Sequence, residues 1–261
     1  MKFSKKSLGQ NFLIDKNIIN KIINLVSIQN KDIIEIGPGR EALTKEILKR
    51  KPKTLTLIEK DFFLAEKLKK EYLDYKNIKI HNTDVLKFDI EKITTKNSII
   101  FGNLPYNISS QILVKFLKFK KWPPKCSDLI FMFQKELGKK IIGAYPSSDY
   151  GRLSILSNFR LNVLNKFYVS PNCFFPKPKV TSMVIHFKPK KKKLFPIKNI
   201  SNLEKITNIL FSNKRKMINK NIKKILTKNK IKDIQDLKVN LRPSDINPEV
   251  YYKITELYEK K

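Results

Sequence analysis

Four consecutive residues, Asn103-Leu104-Pro105-Tyr106, hold the densest chemistry in this 261-residue chain. They follow a β-type run, SIIFGN (98–103), so the amide falls at a strand end and the proline stiffens the turn after it. An amide oxygen, a main-chain carbonyl and an aromatic face in one turn suit methylation of an exocyclic adenine amine. The lone pair of that nitrogen is delocalised into the ring, which makes it a poor nucleophile. Accepting both its N–H bonds, from the Asn103 side-chain oxygen and the Leu104 carbonyl, favours a pyramidal nitrogen and localises the pair. Tyr106 can stack on the base, a contact worth about 1–3 kcal/mol. Attack on a sulfonium methyl needs no strong general base, so positioning does most of the work. The plainer alternative is a proline turn that merely closes a strand.

A second group of residues suits a nucleoside-bearing cofactor. IIEIGPG (33–39) reads as a strand, a GxG turn and a helix start, which lets backbone approach a ligand and offers it N–H groups. A tight turn with no ligand looks the same. The dinucleotide fingerprint wants a third glycine, and Glu41 in this region would repel a pyrophosphate, which tells against NAD. Glu59 ends the second strand, twenty positions after Gly39, where a carboxylate can take both ribose hydroxyls. Asp84 ends the third and can accept from an adenine amino group. Each acid alone could be a solvated strand end. As a set they mark the carboxyl ends of successive strands, where open α/β sheets bind ligands.

The elements that must position these residues follow from the hydrophobic pattern. Strand-like runs occur at 32–37, 54–59, 78–84, 98–103, 128–134, 165–170 and 180–187, with helical stretches at Glu41 to Arg50, Phe62 to Tyr72 and Ser109 to Phe119. Apolar strands separated by amphipathic helices predict a doubly wound, parallel α/β sheet. The last two runs have no long helix between them, which predicts an antiparallel strand at one edge. After the charge run KPKKKK (188–193) the pattern becomes helical, as in 202–211, 216–226 and 247–258, the last with Asn247 as N-cap and Pro248 at the first helical position. A methyl-transfer domain over 1–188, a linker at 189–193 and a small all-helical domain over 194–261 are expected.

Lys and Arg total 55 against 23 acids, a net charge of +32, which points to a polyanionic partner. Only six of the basic residues are Arg, and the excess of Lys, Asn and Ile also suits an A/T-rich coding sequence. Cys126 and Cys173 are far apart and make neither a zinc ribbon nor a disulfide scaffold, which suits a reducing cytoplasm. Two histidines, His81 and His186, leave little for metal or triad chemistry, so no metal is expected. The opening residues lack an apolar core, so no secretory signal is expected, and no apolar run approaches the length of a membrane span.

Five segments, GQNFLID (9–15), EIGPG (35–39), FGNLPYNIS (101–109), YGRLSIL (150–156) and FFPKPKVTS (174–182), together resemble the ribosomal-RNA adenine N6,N6-dimethyltransferases, most closely the small-subunit (16S) branch. The similarity spans essentially the whole chain, including FSNKRK (211–216). It implies a Rossmann-like class I methyltransferase sheet with S-adenosyl-L-methionine as cofactor. Cofactor contacts would fall on Asn11, Leu13, Gly37, Glu59, Asp84 and Asn103. The target adenine would lie between Tyr106 and Phe174, with Phe175 competing for the latter role and a core position as the plainer reading of Phe174. Arg152, Arg160, Arg215 and Lys216 are candidate phosphate contacts. Glu41 departs from the family pattern, and its side chain is expected to point to solvent from the helix start. The implied substrates are two adjacent adenosines in a hairpin loop near the 3′ end of small-subunit rRNA, on a pre-30S particle, modified by a cytoplasmic monomer. A base in a loop costs less to unstack and flip out. Alternatives are the large-subunit branch that confers macrolide resistance, a non-catalytic assembly factor, and a DNA adenine methyltransferase; the small tail tells against the last.

Overall fold

The computed structural model describes residues 11–191 and 195–260. The chain forms two compact units, Met1–Gly138 with Asn162–Pro189, and Lys139–Leu161 with Lys190–Lys261.

The first unit is built on β1 (Phe12–Leu13), β2 (Asp32–Ile36), β3 (Thr54–Glu59), β4 (Ile78–Asn82), β5 (Ile99–Asn103), β6 (Asp128–Gln134), β7 (Leu161–Val169), β8 (Phe174–Phe175) and β9 (Ser182–Pro189). Its helices are α1 (Lys16–Ile23), α2 (Ala42–Lys49), α3 (Phe62–Glu71), α4 (Ile90–Ile93) and α5 (Ser109–Leu117), and α6 (Lys135–Ile142) leads out of it. Seven strands form one sheet in the order β4-β3-β2-β5-β6-β9-β7, with β4 through β6 parallel and β9 antiparallel to β6. The antiparallel strand therefore lies one place in from the edge expected of it, and β7 takes the edge.

Burial explains why the central strands read so clearly. Ile33, Ile34 and Ile36 of β2 and Phe101 of β5 are buried, as strands covered on both faces require. The helices are fixed locally by their caps. The Asp15 carboxylate accepts from Ile18 N at the start of α1, and Asp61 accepts from Phe63 N and Leu64 N at the start of α3. β1 and β8 pair antiparallel as a separate ribbon, with Phe12 opposite Phe175 and Leu13 opposite Phe174.

The second unit contains α7 (Arg152–Arg160), α8 (Ile200–Leu210), α9 (Asn219–Ile222), α10 (Lys228–Lys232) and α11 (Pro248–Glu259). Asn247 caps α11 through Glu249 N, with Pro248 in the first turn. Residues 139–161 group here, although the sequence pattern placed them in the methyl-transfer domain. The cause is long-range packing: the Tyr252 hydroxyl donates to the Ile155 carbonyl at 3.0 Å, and the Tyr150 hydroxyl to the Ile246 carbonyl at 2.8 Å. Of the expected linker 189–193, Pro189 completes β9 while residues 192 and 193 lie outside the described residues. No described helix is long and apolar enough to cross a membrane.

A part-buried polar pair links β6 to β9: His186 Nε2 lies 2.7 Å from Asp128 Oδ1. Burial raises the Asp128 carboxyl, but the His186 and Ser127 hydrogen bonds outweigh it and hold the group below the usual range. A depressed folded-state pKa contributes stability above about pH 4, the unfolded value, and that contribution is lost as pH falls through the folded value. Asp128→Asn is expected to flatten the acid side of the stability profile, read by urea unfolding between neutral pH and pH 3.

Candidate active site

The sheet order places a crevice at the centre of the first unit. Chain connections run from β2 to β3 on one side, while β5 lies on the other, and at such a reversal the loops leave the carboxyl ends in opposite directions. Ile36 is registered against Gly102, so the glycine turn after β2 and the Asn103 turn after β5 emerge side by side. A methyl group built on Gly37 would lie 3.9 Å from the Asn103 carbonyl oxygen. The cleft so formed is lined by Asn11, Leu13, Glu35, Gly37, Glu59 and Asn103, together with Leu104, Pro105 and Tyr106.

Both glycines of the turn have positive φ, +67° at Gly37 and +57° at Gly39, where a β-carbon is disfavoured. At Gly39 the space is also taken, since a β-carbon would sit 3.0 Å from the Phe12 ring. Glu59 is buried, accepting from Gly39 N at 3.1 Å and from Asp61 N at 2.8 Å, one on each carboxylate oxygen. Burial raises its pKa against those bonds. A carboxylate has about four acceptor sites, so capacity remains for a ribose hydroxyl. Asp84 is not among the residues that line the cleft; it is tied to the lining residue Lys60, whose Nζ donates to its Oδ2, while Leu86 N donates to its Oδ1, each at 2.9 Å. The Lys60 ammonium holds this carboxyl below its ordinary value.

On the other wall, Asn103 Nδ2 donates to the Asn11 carbonyl at 3.1 Å. This fixes the amide with its nitrogen toward the N-terminal arm, which leaves Oδ1 as the acceptor for an incoming amine. Leu104 is buried and half-buried Tyr106 bonds Ser182 through its hydroxyl. The cleft thus pairs a ribose-type acceptor and carboxylates on one side with an amide, a carbonyl and an aromatic ring on the other.

Three expected positions fall elsewhere. Phe174 is 3% exposed in the hydrophobic core, whereas Phe175 is 53% exposed, because successive strand residues face opposite ways. Arg160 is buried on α7, which leaves it no solvent face for a phosphate. Glu41 does not point to solvent: it is 1% exposed, accepting from Lys67 Nζ at 2.7 Å and from the Tyr72 hydroxyl at 2.9 Å. Arg152 is half-buried, and Arg215 and Lys216 are exposed in the turn before α9.

Glu35 and Lys60 line the cleft without having been singled out. Glu35 is buried beside the Thr44 hydroxyl, which donates to it at 2.7 Å. Burial pushes its carboxyl up to about 8, opposed by Thr44 and reinforced by the charges of Glu59 and Glu41. In the sequence it reads as one more strand residue; its inward side in a run of isoleucines was the available signal.

Glu41 sits at φ +69°, an awkward conformation for a residue with a β-carbon. Its bonds to Lys67 and Tyr72 tie the start of α2 to α3 and turn its charge away from the cleft. Glu41→Ala should cost about 1–3 kcal/mol in chemical denaturation, the usual penalty for stranding a buried polar partner. Glu41→Gly should cost less than alanine, because glycine accepts the backbone angle.

A family model described as ribosomal RNA adenine dimethylase matches residues 1–260. A protein of Pelagibacter ubique named ribosomal RNA small subunit methyltransferase A is 44% identical over 257 residues, covering 98% of this chain and 97% of that protein. The protein of the same name from Malacoplasma penetrans is 39% identical, covering 97% of this chain and 91% of its own. Among solved structures, a dimethyladenosine transferase from Plasmodium falciparum superposes with a TM-score of 0.76 at 23% identity, covering 95% of this chain and 98% of that one. The 23S rRNA methyltransferase ErmE gives 0.69 at 22% identity, covering 95% and 100% respectively. The two structures speak for a class I methyltransferase fold, and the sequence relatives narrow it. The chain belongs to the ribosomal RNA adenine dimethylase family.

Proposed function

We propose that this protein dimethylates the exocyclic amines of two adjacent adenosines in the 3′-terminal hairpin loop of small-subunit rRNA, using S-adenosyl-L-methionine. The observation that carries the proposal is the Asn103 amide in the cleft lining, held by the bond of its Nδ2 to the Asn11 carbonyl, which leaves Oδ1 as its acceptor. The small-subunit assignment is supported by the names of its relatives, which cover nearly the whole chain.

The residues present fit the cofactor. Gly37 and Gly39 offer backbone at positive φ, where a side chain is disfavoured, buried Glu59 retains acceptor capacity for a ribose, and Glu35 adds a carboxyl beside a ligand that carries positive charge. Asn11, Leu13 and Lys60 line this half of the site, and Lys60 holds Asp84 beside it. When bound, S-adenosyl-L-methionine supplies an electrophilic sulfonium methyl. Asn103 Oδ1 and the Leu104 carbonyl accept the two N–H bonds of the target amine, and Pro105 fixes the direction of that carbonyl. Tyr106 presents its ring to the base. Effective concentration and orientation of this kind lower a barrier without a strong base.

The second aromatic wall belongs to β8. Phe174 packs with its strand partner Leu13 in the core, and the exposed Phe175 is the ring proposed to meet a base. Arg215 and Lys216 are proposed as phosphate contacts of the helical unit, which position RNA without reading its sequence. A cytoplasmic monomer acting on a pre-30S particle completes the proposal.

Mass spectrometry of rRNA gives the first test. Asn103→Ala should lower the rate of dimethyladenosine formation by about 10²–10³, the usual cost of one preorganised polar contact in a transition state. Unchanged content would leave a non-catalytic assembly role. Label transferred only to large-subunit RNA would favour the branch that ErmE represents. For the aromatic wall, Phe175→Ala should raise the KM for RNA with folding intact, while Phe174→Ala should lower the melting temperature. The reverse pattern would return the stacking role to Phe174.

A further inference from the structure

The segment that begins at Phe174 ends on Ser182, a residue with no place in the chemistry above. Ser182 opens β9, opposite Gln134 of β6, and is fully buried. Its Oγ lies 2.6 Å from the Tyr106 hydroxyl, across 76 residues of sequence. Tyr106 itself stands outside regular structure, in the turn between β5 and α5, where the backbone is held locally but nothing in the turn itself reaches the end of the ring. The rigid sheet thus reaches the tip of the ring that faces the target base.

We propose that Ser182 is a positioning residue for the target adenine, fixing the plane of the Tyr106 ring, and that its main effect is on the second methyl transfer. This rests on the reading of Tyr106 as the base platform. Before the first transfer the amine has two N–H bonds, one for Asn103 Oδ1 and one for the Leu104 carbonyl. Afterwards only one is left, and the nitrogen carries a methyl group. Hydrogen bonding then orients the amine less well, and stacking carries a larger share. A ring that pivots about its side-chain bonds is tolerable for the first step and costly for the second. The bond also leaves the Tyr106 hydroxyl engaged, so the ring face, and not the hydroxyl, meets the substrate.

The test compares Ser182→Ala, Tyr106→Phe, the double variant and Ser182→Thr in single-turnover methylation of small-subunit particles, with mono- and dimethyladenosine counted separately. Removing one such hydrogen bond should slow the second transfer by about tenfold in either single variant. In Ser182→Ala the first transfer should change by less than about threefold, and the double variant should be no worse than either single one. Ser182→Thr retains the hydroxyl and should restore dimethylation. Cofactor affinity measured by calorimetry with S-adenosyl-L-homocysteine should stay within about twofold, since the bond lies on the base side. With 2-aminopurine replacing the target adenosine, the fluorescence lifetime of the bound particle should broaden in both single variants. Equal slowing of both transfers, additive losses in the double variant, or a wild-type Tyr106→Phe would overturn the proposal. Tyr106→Phe removes the same bond without touching β9, so the test survives a misfolded Ser182→Ala. Tyr106→Ala separates the two readings: full dimethylation there would remove Tyr106 as the platform, whereas its failure beside a normal Tyr106→Phe would remove only Ser182.

Discussion

Everything in the cleft depends on the parallel pairing of β2 with β5. That register sets Ile36 beside Gly102, and so brings the backbone of the glycine turn against the strand end that carries Asn103. A slip of one residue would invert every side chain of one strand and bury the wrong face. The isoleucines and Phe101 that exclude such a slip are therefore as necessary to the chemistry as the polar residues they hold apart.

Charge is arranged against the grain of the composition. Acids are scarce in a chain of net charge +32, yet Glu35, Glu41 and Glu59 are all buried around one turn. Each is handled differently. Glu59 is satisfied by backbone N–H groups, Glu41 by a lysine and a tyrosine, and Glu35 by a single hydroxyl and a raised pKa. The surplus of lysines elsewhere provides the long-range attraction a polyanion feels, while the interior provides the local field a cationic ligand feels.

The chemistry was legible wherever a residue type and a strand end coincided. Asn103, Tyr106, Glu59 and the glycines stand at turns whose flanking strands announce themselves by continuous apolar runs, and the structure gathers them in one cleft. What failed was anything decided by a distant partner. Phe174 and Phe175 are chemically identical, and only the pairing with β1 selects which is buried. Glu41 looked like a solvated helix start because Tyr72, its partner, lies 31 residues on. The second unit claims 139–161 through hydroxyls of Tyr150 and Tyr252 that no local pattern reveals. Helix α1 was missed because its cap, Asp15, sits next to residues that read as an arm.

The ribbon of β1 and β8 has a consequence for how the protein comes into being. It joins residue 12 to residue 175, and between them the chain leaves the first unit for the second and returns. Closing so long a loop is slow compared with forming the local βα pairs, because its entropy is lost before its contacts form. Asn103 takes its orientation from the arm that this ribbon anchors. On a ribosome the five parallel strands β2 through β6 can be paired while the cleft is still unfinished. Competence for methyl transfer is thus conferred late in synthesis, by a two-residue strand made after most of the first unit has already left the tunnel.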